Sequence, residues 1–295
     1  MHNYTSCPVC KNQKLSPFIT CEDHTVSHEK FNIVSCESCG FKFTNPIPEA
    51  SELGNYYKSE DYISHSNTKK GIISRLYHAV RRYTLKQKLA LASSYVSRGT
   101  ILDYGCGTGM FLKVCEEAGW NAFGVEPDSG ARVIAKGMGL RTFKDKVDLS
   151  YELQGATFDA ITLWHVLEHV TDLEETLSFF RSKLNKEGVL IIAVPNYTSY
   201  DAGYYKKFWA AYDLPRHLYH FEITTISKLL SGFGFKLEKT YPMKFDSFYV
   251  SMLSEKYKTG SIRYLSAVLN GLKSNMRAKA PHNYSSVIYV FKPKY

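Results

Sequence analysis

The sequence predicts an α/β fold, in which a mainly parallel sheet carries helices on both faces and follows a small cysteine-bearing module. An apolar strand runs into a glycine-rich turn and a helix at residues 101–118, and strand-like and helix-like runs then alternate as far as residue 291. Two Cys-x-x-Cys pairs lie within the first 40 residues. With 295 residues, 44% hydrophobic and 22% charged, the chain can bury a large core and lacks a disordered composition.

The N-terminal cysteines have the spacing of a metal-binding module. Cys7 and Cys10 form one pair, and Cys36 and Cys39 form a second pair after 25 intervening residues. A module of about 45 residues has too little core to fold without such a cross-link. The spacing therefore predicts a zinc ribbon at residues 1–48 with a structural zinc, because four cysteine ligands leave no open position. Disulfides or redox pairs are the alternative, which the absence of a recognisable secretory leader disfavours.

Residues 49–94 are predicted to be a connector that ends in a basic amphipathic helix at residues 72–94. One interpretation is that an apolar stripe on this helix packs on the following domain while the charges remain solvated. The alternative is a helix that lies on a membrane or along an acidic substrate. The stripe comprises Ile72, Leu76, Ala79, Val80 and Tyr83, and the basic residues are Arg75, Arg81, Arg82, Lys86 and Lys88.

The glycine-rich turn indicates a nucleoside-containing cofactor. Its glycines permit a positive φ or remove a Cβ that would block a ligand from the strand ends. A second strand, at residues 122–125, ends in a glutamate at the position where a carboxylate can accept both hydroxyls of a ribose. A merely solvated glutamate is the alternative. The residues concerned are Asp103, Gly105, Gly107 and Gly109 in the turn and Glu126 after the second strand.

This motif resembles the first motif of class I S-adenosylmethionine-dependent methyltransferases, Asp/Glu-x-Gly-x-Gly-x-Gly. The resemblance covers residues 95–295 and implies a Rossmann-like seven-stranded methyltransferase sheet. It implies that the glycine turn contacts the methionine part of the cofactor, that Asp103 lies near its amino group and that Glu126 holds the ribose. Asp145, after the third strand, is the candidate for contact with the adenine amine. A surface position beside two lysines is the alternative for Asp145.

Further strands complete the predicted sheet, and the resemblance implies that the last two are antiparallel. A helix is expected near residues 224–233. The strands are predicted at residues 157–164, 188–194, 236–241 and 286–291.

The segment from Trp164 to His169 follows the fourth strand, at the edge where open α/β sheets bind ligands. It resembles the Met-Glu-x-Leu-Glu-His segment of quinone-precursor O-methyltransferases and an acid–His pair in zinc-ribbon sugar C-methyltransferases. Glu168 and His169 match, whereas His165 replaces the first acid, which argues against a divalent metal held by two carboxylates. His165 and His169 are predicted to share one helical face with Glu168 and to supply a catalytic base. The alternative is that Glu168 and His169 only cap or brace the helix. Trp164 is assigned to the cofactor site.

Residues 197–221 are rich in aromatic side chains and are predicted to form a substrate lid. Trp209 and Tyr212 would stack on the acceptor and exclude water. Arg216 would bind a phosphate or carboxylate, and His217 would join the catalytic groups. The alternatives are a minor hydrophobic core under a long loop and a plain salt bridge at Arg216.

The composition favours an anionic partner, because the formal net charge is +9 and the pI is about 9.0. We expect a cytoplasmic S-adenosylmethionine-dependent methyltransferase with a small-molecule acceptor, O-methylation being preferred, and peripheral membrane contact remains open. The alternatives are C-methylation of a nucleotide sugar, an RNA-binding methyltransferase and a noncatalytic cofactor-binding protein. The sugar alternative is disfavoured because the zinc-ribbon sugar C-methyltransferases that the chain resembles usually continue into a larger C-terminal domain. Nucleic acid is disfavoured because the basic residues form no recognisable RNA-binding module.

Overall fold

The computed structural model describes residues 1–57 and 72–294, without the side chains of residues 50 and 72–77. The part of the predicted connector at residues 58–71, and the side chains of Ile72, Arg75 and Leu76, therefore lie outside the described residues. The strands in chain order are β1 (Leu15–Glu22), β2 (Lys30–Cys36), β3 (Lys42–Thr44), β4 (Thr100–Tyr104), β5 (Asn121–Val125), β6 (Arg141–Phe143), β7 (Phe158–Trp164), β8 (Leu184–Pro195), β9 (Tyr219–His220), β10 (Phe235–Pro242) and β11 (Ser286–Pro293).

Helices separate most of these strands. They are numbered α1 (Ala50–Leu53), α2 (Ile72–Tyr95), α3 (Met110–Glu117), α4 (Ser129–Gly137), α5 (Lys146–Glu152), α6 (Leu173–Lys183), α7 (Tyr200–Tyr205), α8 (Ile223–Gly232), α9 (Asp246–Thr259) and α10 (Tyr264–Arg277). No helix within the described ranges is long and apolar enough to cross a lipid bilayer.

The larger sheet has seven strands in the order β10-β11-β8-β7-β4-β5-β6. The strands from β4 to β8 pair in parallel, whereas β11 pairs antiparallel with both β8 and β10. The predicted α/β fold is thereby confirmed, including the antiparallel final pair.

The central strands are apolar on both faces because helices cover the sheet on both sides. In β4, Leu102 belongs to one core cluster and its neighbour Ile101 to the other, as the alternation of side chains along a strand requires. The carboxyl ends of β4, β5 and β7 consequently meet along one exposed edge, which is where the candidate site lies.

The N-terminal module is a second sheet, in the order β1-β2-β3-β9. Its fourth strand comes from the segment predicted to be a lid, since Lys42 pairs with His220 and Phe43 with Tyr219. The module is therefore not confined to residues 1–48. A strand from the methyltransferase-like part of the chain completes its sheet.

Helices α9 and α10 form a hairpin between β10 and β11 that the sequence pattern did not predict. The two helices pack closely, because a Cβ on Gly271 would lie 2.7 Å from a ring carbon of Phe248. The side of α10 that faces the protein carries small or polar residues, namely Ala267, Asn270, Gly271 and Ser274. An inward apolar stripe, the usual sign of a packed helix, is missing here.

Candidate functional site

The glycine turn has the geometry that a closely bound ligand requires. Gly105, Gly107 and Gly109 have φ values of 78°, 53° and 79°. A Cβ on Gly105 would lie 2.4 Å from Val166 Cγ2, and one on Gly109 would lie 2.5 Å from Leu140 Cδ1. Nothing described lies within 4 Å of a Cβ built on Gly107. Two glycines are thus needed for internal packing, and the third faces open space at the carboxyl edge of β4.

Two carboxylates flank this turn. Glu126, directly after β5, accepts hydrogen bonds of 2.8 Å from the backbone nitrogens of Gly107 and Asp128. Asp103 is buried near the end of β4, where Thr162 Oγ1 donates to Asp103 Oδ1 at 2.7 Å. Burial raises the pKa of Asp103 to about 7, although the Thr162 hydroxyl favours the charged form.

The other two predicted cofactor residues lie near the same edge. The Asp145 carboxylate caps α5 by accepting from the backbone nitrogens of Val147 and Asp148. Trp164 ends β7 and packs edge-on against Phe111, with a centroid distance of 5.5 Å. The indole Nε1 of Trp164 is buried, and no hydrogen-bond partner for it exists in the described part of the chain.

Lys88 is a site residue that the sequence placed only among the basic residues of a helix. Its Nζ lies 4.4 Å from the centre of the Trp164 ring, so the side chain reaches into the carboxyl edge of the sheet. Burial lowers the pKa of Lys88, and the nearby carboxylates of Asp103 and Asp246 oppose this effect. The contact between Lys88 and Trp164 depends on how α2 packs over the sheet. The spacing of residues along the helix could not predict it.

His165 forms the centre of an ion-pair network. It has a positive φ of 59° and lies in the loop after β7. Its Nε2 is 2.9 Å from Asp246 Oδ2, and its Nδ1 is 3.4 Å from Glu168 Oε1. Burial by itself would lower the pKa of His165, but the two carboxylates raise it to about 10. The imidazole is therefore positively charged at neutral pH, which corrects the prediction that His165 supplies a catalytic base.

Asp246→Asn should reduce the proton affinity of His165, because the amide removes one of the two negative charges that stabilise the imidazolium. NMR titration is expected to find a lower pKa for His165 in the variant. A raised folded-state pKa stabilises the protein fully below 6.5, and this contribution is lost as the pH rises to about 10. The stability difference between wild type and variant should therefore shrink across that interval. Glu238→Gln, at an exposed position of β10, is the control. An unchanged His165 titration in Asp246→Asn would contradict the assigned ion pair between His165 and Asp246.

The predicted helical face shared by His165 and His169 is not observed. In this segment only Leu167–His169 is helical, as a single 3₁₀ turn. His165 precedes this turn and has a positive φ, so it is not part of the helix. His169 turns away from His165 and stacks edge-on with His217 at 4.5 Å. His169 Nδ1 lies 3.0 Å from the Tyr57 hydroxyl and 3.0 Å from the Arg216 carbonyl oxygen.

Glu168 lies between the two histidines and is almost completely buried, with 1% of its surface exposed. Its Oε1 lies 3.4 Å from His165 Nδ1, an ion pair longer than a well-formed hydrogen bond, and no other partner for either carboxylate oxygen exists within the described ranges. Ligand atoms of Glu168, His169 and His217 lie within 4.8 Å of one another. These side chains offer one carboxylate oxygen and two imidazole nitrogens, which are ligand types that zinc accepts.

His217 is buried against His169 and donates from Nδ1 to the Ala211 carbonyl oxygen at 2.9 Å. Burial, followed by the proximity of His169, lowers the pKa of His217 well below its ordinary value. His217 is consequently a neutral packing partner of His169.

Arg216 is buried and fully paired, which corrects its prediction as an anion-binding residue. Its Nη2 lies 3.0 Å from Asp23 Oδ1 and 2.7 Å from Asp213 Oδ1, and its Nη1 donates to the Tyr56 carbonyl oxygen at 2.9 Å. Only 2% of its surface is exposed. The alternative of a salt bridge matches this geometry, and the bridge joins the N-terminal module to residues 213–216.

Trp209 and Tyr212 of the predicted lid are also buried. Trp209 and Tyr212 join Phe31 and Ile33 of the N-terminal module in one hydrophobic cluster. Trp209 Nε1 donates to Asp201 Oδ2 at 2.8 Å, which satisfies the indole inside this core. The alternative of a minor core under a long loop is what the structure shows, since these rings fasten the module and are not placed to cover an acceptor.

A cavity of about 460 Å³ lies between α2, the end of β10 and the start of α9. Its walls are mainly apolar and aromatic, with Tyr83, Tyr241 and Phe245 among them. Lys88 and Asp246 also line it, so the cavity adjoins the Trp164 contact and the His165 ion pair. This size and lining are typical of a small-molecule site.

The four N-terminal cysteines converge as their spacing predicts. The sulfurs of Cys7 and Cys39 are 3.6 Å apart and those of Cys10 and Cys36 are 3.5 Å apart. A tetrahedron of zinc–sulfur bonds of about 2.3 Å has edges of about 3.8 Å, so the four sulfurs are arranged closely enough to hold one such ion.

The family model described as a methyltransferase domain matches residues 77–240. The chain is 32% identical over 100 residues to an uncharacterized methyltransferase of Anoxybacillus flavithermus, covering 33% of this chain and 47% of that protein. It is also 32% identical over 108 residues to the ubiquinone biosynthesis O-methyltransferase of Actinobacillus pleuropneumoniae, covering 33% of this chain and 46% of that protein. The chain spans about half the length of the curated relatives it matches.

Solved structures of methyltransferases share this fold. A SAM-dependent methyltransferase from Archaeoglobus fulgidus superposes with a TM-score of 0.50 at 22% identity, covering 72% of this chain and 94% of that one. The magnesium protoporphyrin IX methyltransferase of Synechocystis, solved with bound SAH, gives a TM-score of 0.54 at 15% identity, covering 84% of this chain and 100% of that one. At these identities the likeness concerns the fold alone.

Proposed function

This chain belongs to the methyltransferase-domain family, and we propose that it transfers a methyl group from S-adenosylmethionine to a small anionic acceptor in the cavity between α2, β10 and α9. The observation that carries the proposal is the position of this cavity. Lys88 and Asp246 line it and also contact Trp164 and His165, and Val166, the residue after His165, packs against Gly105 of the glycine turn.

The residues around the turn suit the cofactor. The open space in front of Gly107 accommodates the approach of a ligand to bare backbone, and Glu126 is held at the end of β5, where it can accept from ribose hydroxyls. Asp103 would lie near the amino group, and Trp164 and Asp145 would line the remainder of the site. When bound, S-adenosylmethionine supplies an electrophilic methyl group on a sulfonium centre.

Glu126→Ala is expected to weaken S-adenosylmethionine binding by about 1–3 kcal/mol, the cost of losing charged hydrogen bonds. The substitution also removes the carboxylate that accepts from Gly107 nitrogen and so loosens the turn. Isothermal titration calorimetry on the purified protein measures the effect. Glu117→Ala, at the end of α3, is the matched control, and an unchanged affinity in Glu126→Ala would remove the ribose role.

The charges around the cavity favour an anionic acceptor. Lys88 and Lys244 line it, and the negative charge of Asp246 in its wall is balanced by the ion pair with His165. Positive charge nearby favours the ionised form of an acidic hydroxyl or carboxyl group, whose proton passes to solvent. The chain then holds the acceptor oxygen as an anion within a partly apolar cavity, which favours its attack on a methyl group. This chemistry supports O-methylation.

A second candidate is C-methylation of a nucleotide sugar, and the environment of His169 favours it. A carbonyl oxygen only accepts, so the contact with Arg216 assigns the hydrogen to His169 Nδ1 and leaves a lone pair on Nε2. A base oriented in this way can remove a proton from an acidic carbon. His169→Ala would abolish transfer in this case, whereas O-methylation in the cavity would depend on Lys88.

The N-terminal module is proposed to bind a structural zinc through Cys7, Cys10, Cys36 and Cys39. The convergence of four sulfurs at distances near those of a tetrahedral site supports this assignment. Four cysteine ligands would leave no open position for a substrate.

The reaction is tested with methyl-labelled S-adenosylmethionine and a deproteinised cell extract, whose products are separated into organic-soluble, small aqueous and nuclease-sensitive pools. Label is expected in one of the first two pools, and Lys88→Met should abolish it while Lys86→Met, on an exposed position of the same helix, should not. Nuclease-sensitive label would contradict the proposal. Cofactor binding without label in any pool would also overturn it.

A further inference from the structure

Helix α10 presents an apolar stripe to the outside of the protein. Its exposed side chains recur every three or four residues, so they share one side of the helix. The opposite side, which contains Ala267 and Ser274, packs inward. The exposed residues, with exposed fractions in parentheses, are Tyr264 (57%), Leu265 (75%), Val268 (44%), Leu269 (47%), Leu272 (45%) and Met276 (83%).

Positive charge borders one side of this stripe. Lys273 lies beside Leu269 on the helix surface, Arg277 is one turn further along, and both are exposed. The chain has no aspartate or glutamate from residue 256 to residue 295, and it has eight lysines and arginines over the same stretch. An apolar helical face bordered by basic side chains is the pattern of a helix that lies in the interface of an anionic membrane.

The acceptor cavity opens beside this helix. Asn275 Nδ2 donates to the Lys244 carbonyl oxygen at 2.9 Å, so α10 lies against the segment that carries Lys244 and Phe245. Both residues line the cavity, and Phe245 is exposed and packs edge-on against Tyr83 at 5.9 Å. The exposed apolar surface therefore continues from α10 to the rim of the cavity.

A second copy of the chain fits this surface less well. A helix of 14 residues is about 21 Å long and about 10 Å wide, so its exposed face covers on the order of 200 Å². A stable protein interface needs about 800 Å² from each partner. The basic residues would also face their own kind across a twofold axis, which opposes association.

We propose that the exposed face of α10 docks this protein on an anionic lipid surface. Leu265, Leu269, Leu272 and Met276 enter the interfacial layer, and Lys273 and Arg277 contact the headgroups. Docked in this way, the protein holds its cavity rim toward the lipid, so an amphipathic acceptor can enter from the membrane. This last consequence rests on the proposed function, whereas lipid binding itself does not.

The test is cosedimentation of the full chain with vesicles, without cofactor or acceptor. Binding is expected to mixed phosphatidylglycerol and phosphatidylcholine vesicles and to be at least about tenfold weaker with phosphatidylcholine alone. Raising the ionic strength to about 1 M shortens the Debye length to about 3 Å and should weaken it as well. Leu265→Glu with Leu272→Glu should reduce partitioning by about tenfold or more.

Val133→Glu with Ile134→Glu is the matched control, because these residues of α4 are also exposed, at 70% and 52%. Circular dichroism verifies that each variant is folded, and Lys273→Gln with Arg277→Gln should weaken binding without touching the stripe. Lys88→Met should bind vesicles like wild type, which separates docking from methyl transfer. Equal binding by wild type and Leu265→Glu with Leu272→Glu would overturn the proposal. Absence of wild-type binding to anionic vesicles would also overturn it. The same holds if wild type does not bind vesicles but forms a dimer that Leu265→Glu with Leu272→Glu dissociates.

Discussion

Arg216→Met is expected to lower the free energy of unfolding by about 3–5 kcal/mol, because it leaves two carboxylates at a buried site without their opposite charge. Asp23 is completely buried and depends on Arg216 Nη2, while Asp213 accepts from the same guanidinium. Methionine fills much of the space but carries no charge. Urea denaturation followed by circular dichroism measures the change.

The same contacts predict how the effect of Arg216→Met varies with pH. Burial would raise the pKa of both Asp23 and Asp213, but Arg216 and, for Asp23, backbone hydrogen bonds hold it below the ordinary value of 3.8. A depressed pKa contributes stability above 3.8 that is lost as the pH falls. The difference between wild type and variant should therefore shrink below pH 3.8.

Arg82→Met is the matched control for this experiment, since Arg82 lies on an exposed position of α2. It should change the unfolding free energy by no more than about 0.5 kcal/mol. A loss of less than about 1 kcal/mol in Arg216→Met would show that the guanidinium does not hold the N-terminal module in place.

Removal of the proposed zinc should reduce methyl transfer on the order of 10²-fold, because displacement of site residues by about 1 Å has effects of this size. Cys36 ends β2, and β3 after it pairs with β9. Directly before β9, Leu218 nitrogen donates to the Glu168 carbonyl oxygen at 2.7 Å. Loss of the zinc would thus release the contact that positions Glu168, whose carboxylate pairs with His165 beside Asp246 in the cavity wall.

Cofactor affinity should change by no more than about twofold in the same experiment, a difference of about 0.4 kcal/mol. Gly107 lies between β4 and α3 and Glu126 directly follows β5, and both strands belong to the seven-stranded sheet, which does not contain β9. Cys36→Ser should reproduce the chelation effect, and Cys21→Ser, a buried cysteine outside the cluster, should retain zinc. Full transfer activity after verified zinc loss would separate the module from the reaction.

Much of the fold follows from local sequence patterns. The apolar runs of β4 and β7 and the glycine turn before α3 are short-range signals, and the observed bounds lie within a few residues of those expected. Helix α2 likewise begins at residue 72 as predicted. The α9–α10 hairpin escaped prediction because its inward side uses small and polar residues, which leave no apolar periodicity toward the core.

The site was only partly visible in the sequence. The three glycines and Glu126 are brought together by one strand–helix–strand unit, so their spacing was sufficient to group them. Lys88 and Asp246 are far from this unit in sequence, and no local pattern indicated that they meet around Trp164 and His165. Their contribution depends on long-range packing of α2 and α9.

By itself, the sequence determined the sheet class, the glycine turn and the grouping of four cysteines, since each rests on residue spacing within one or two elements. Only the tertiary structure showed how residues 197–221 pack. Trp209 and Tyr212 lie inside a core shared with the N-terminal module. The tertiary structure likewise decided that Arg216 is buried between two carboxylates and that His165 is charged. Burial and charge pairing depend on which surfaces meet in space, and local spacing does not encode those distances.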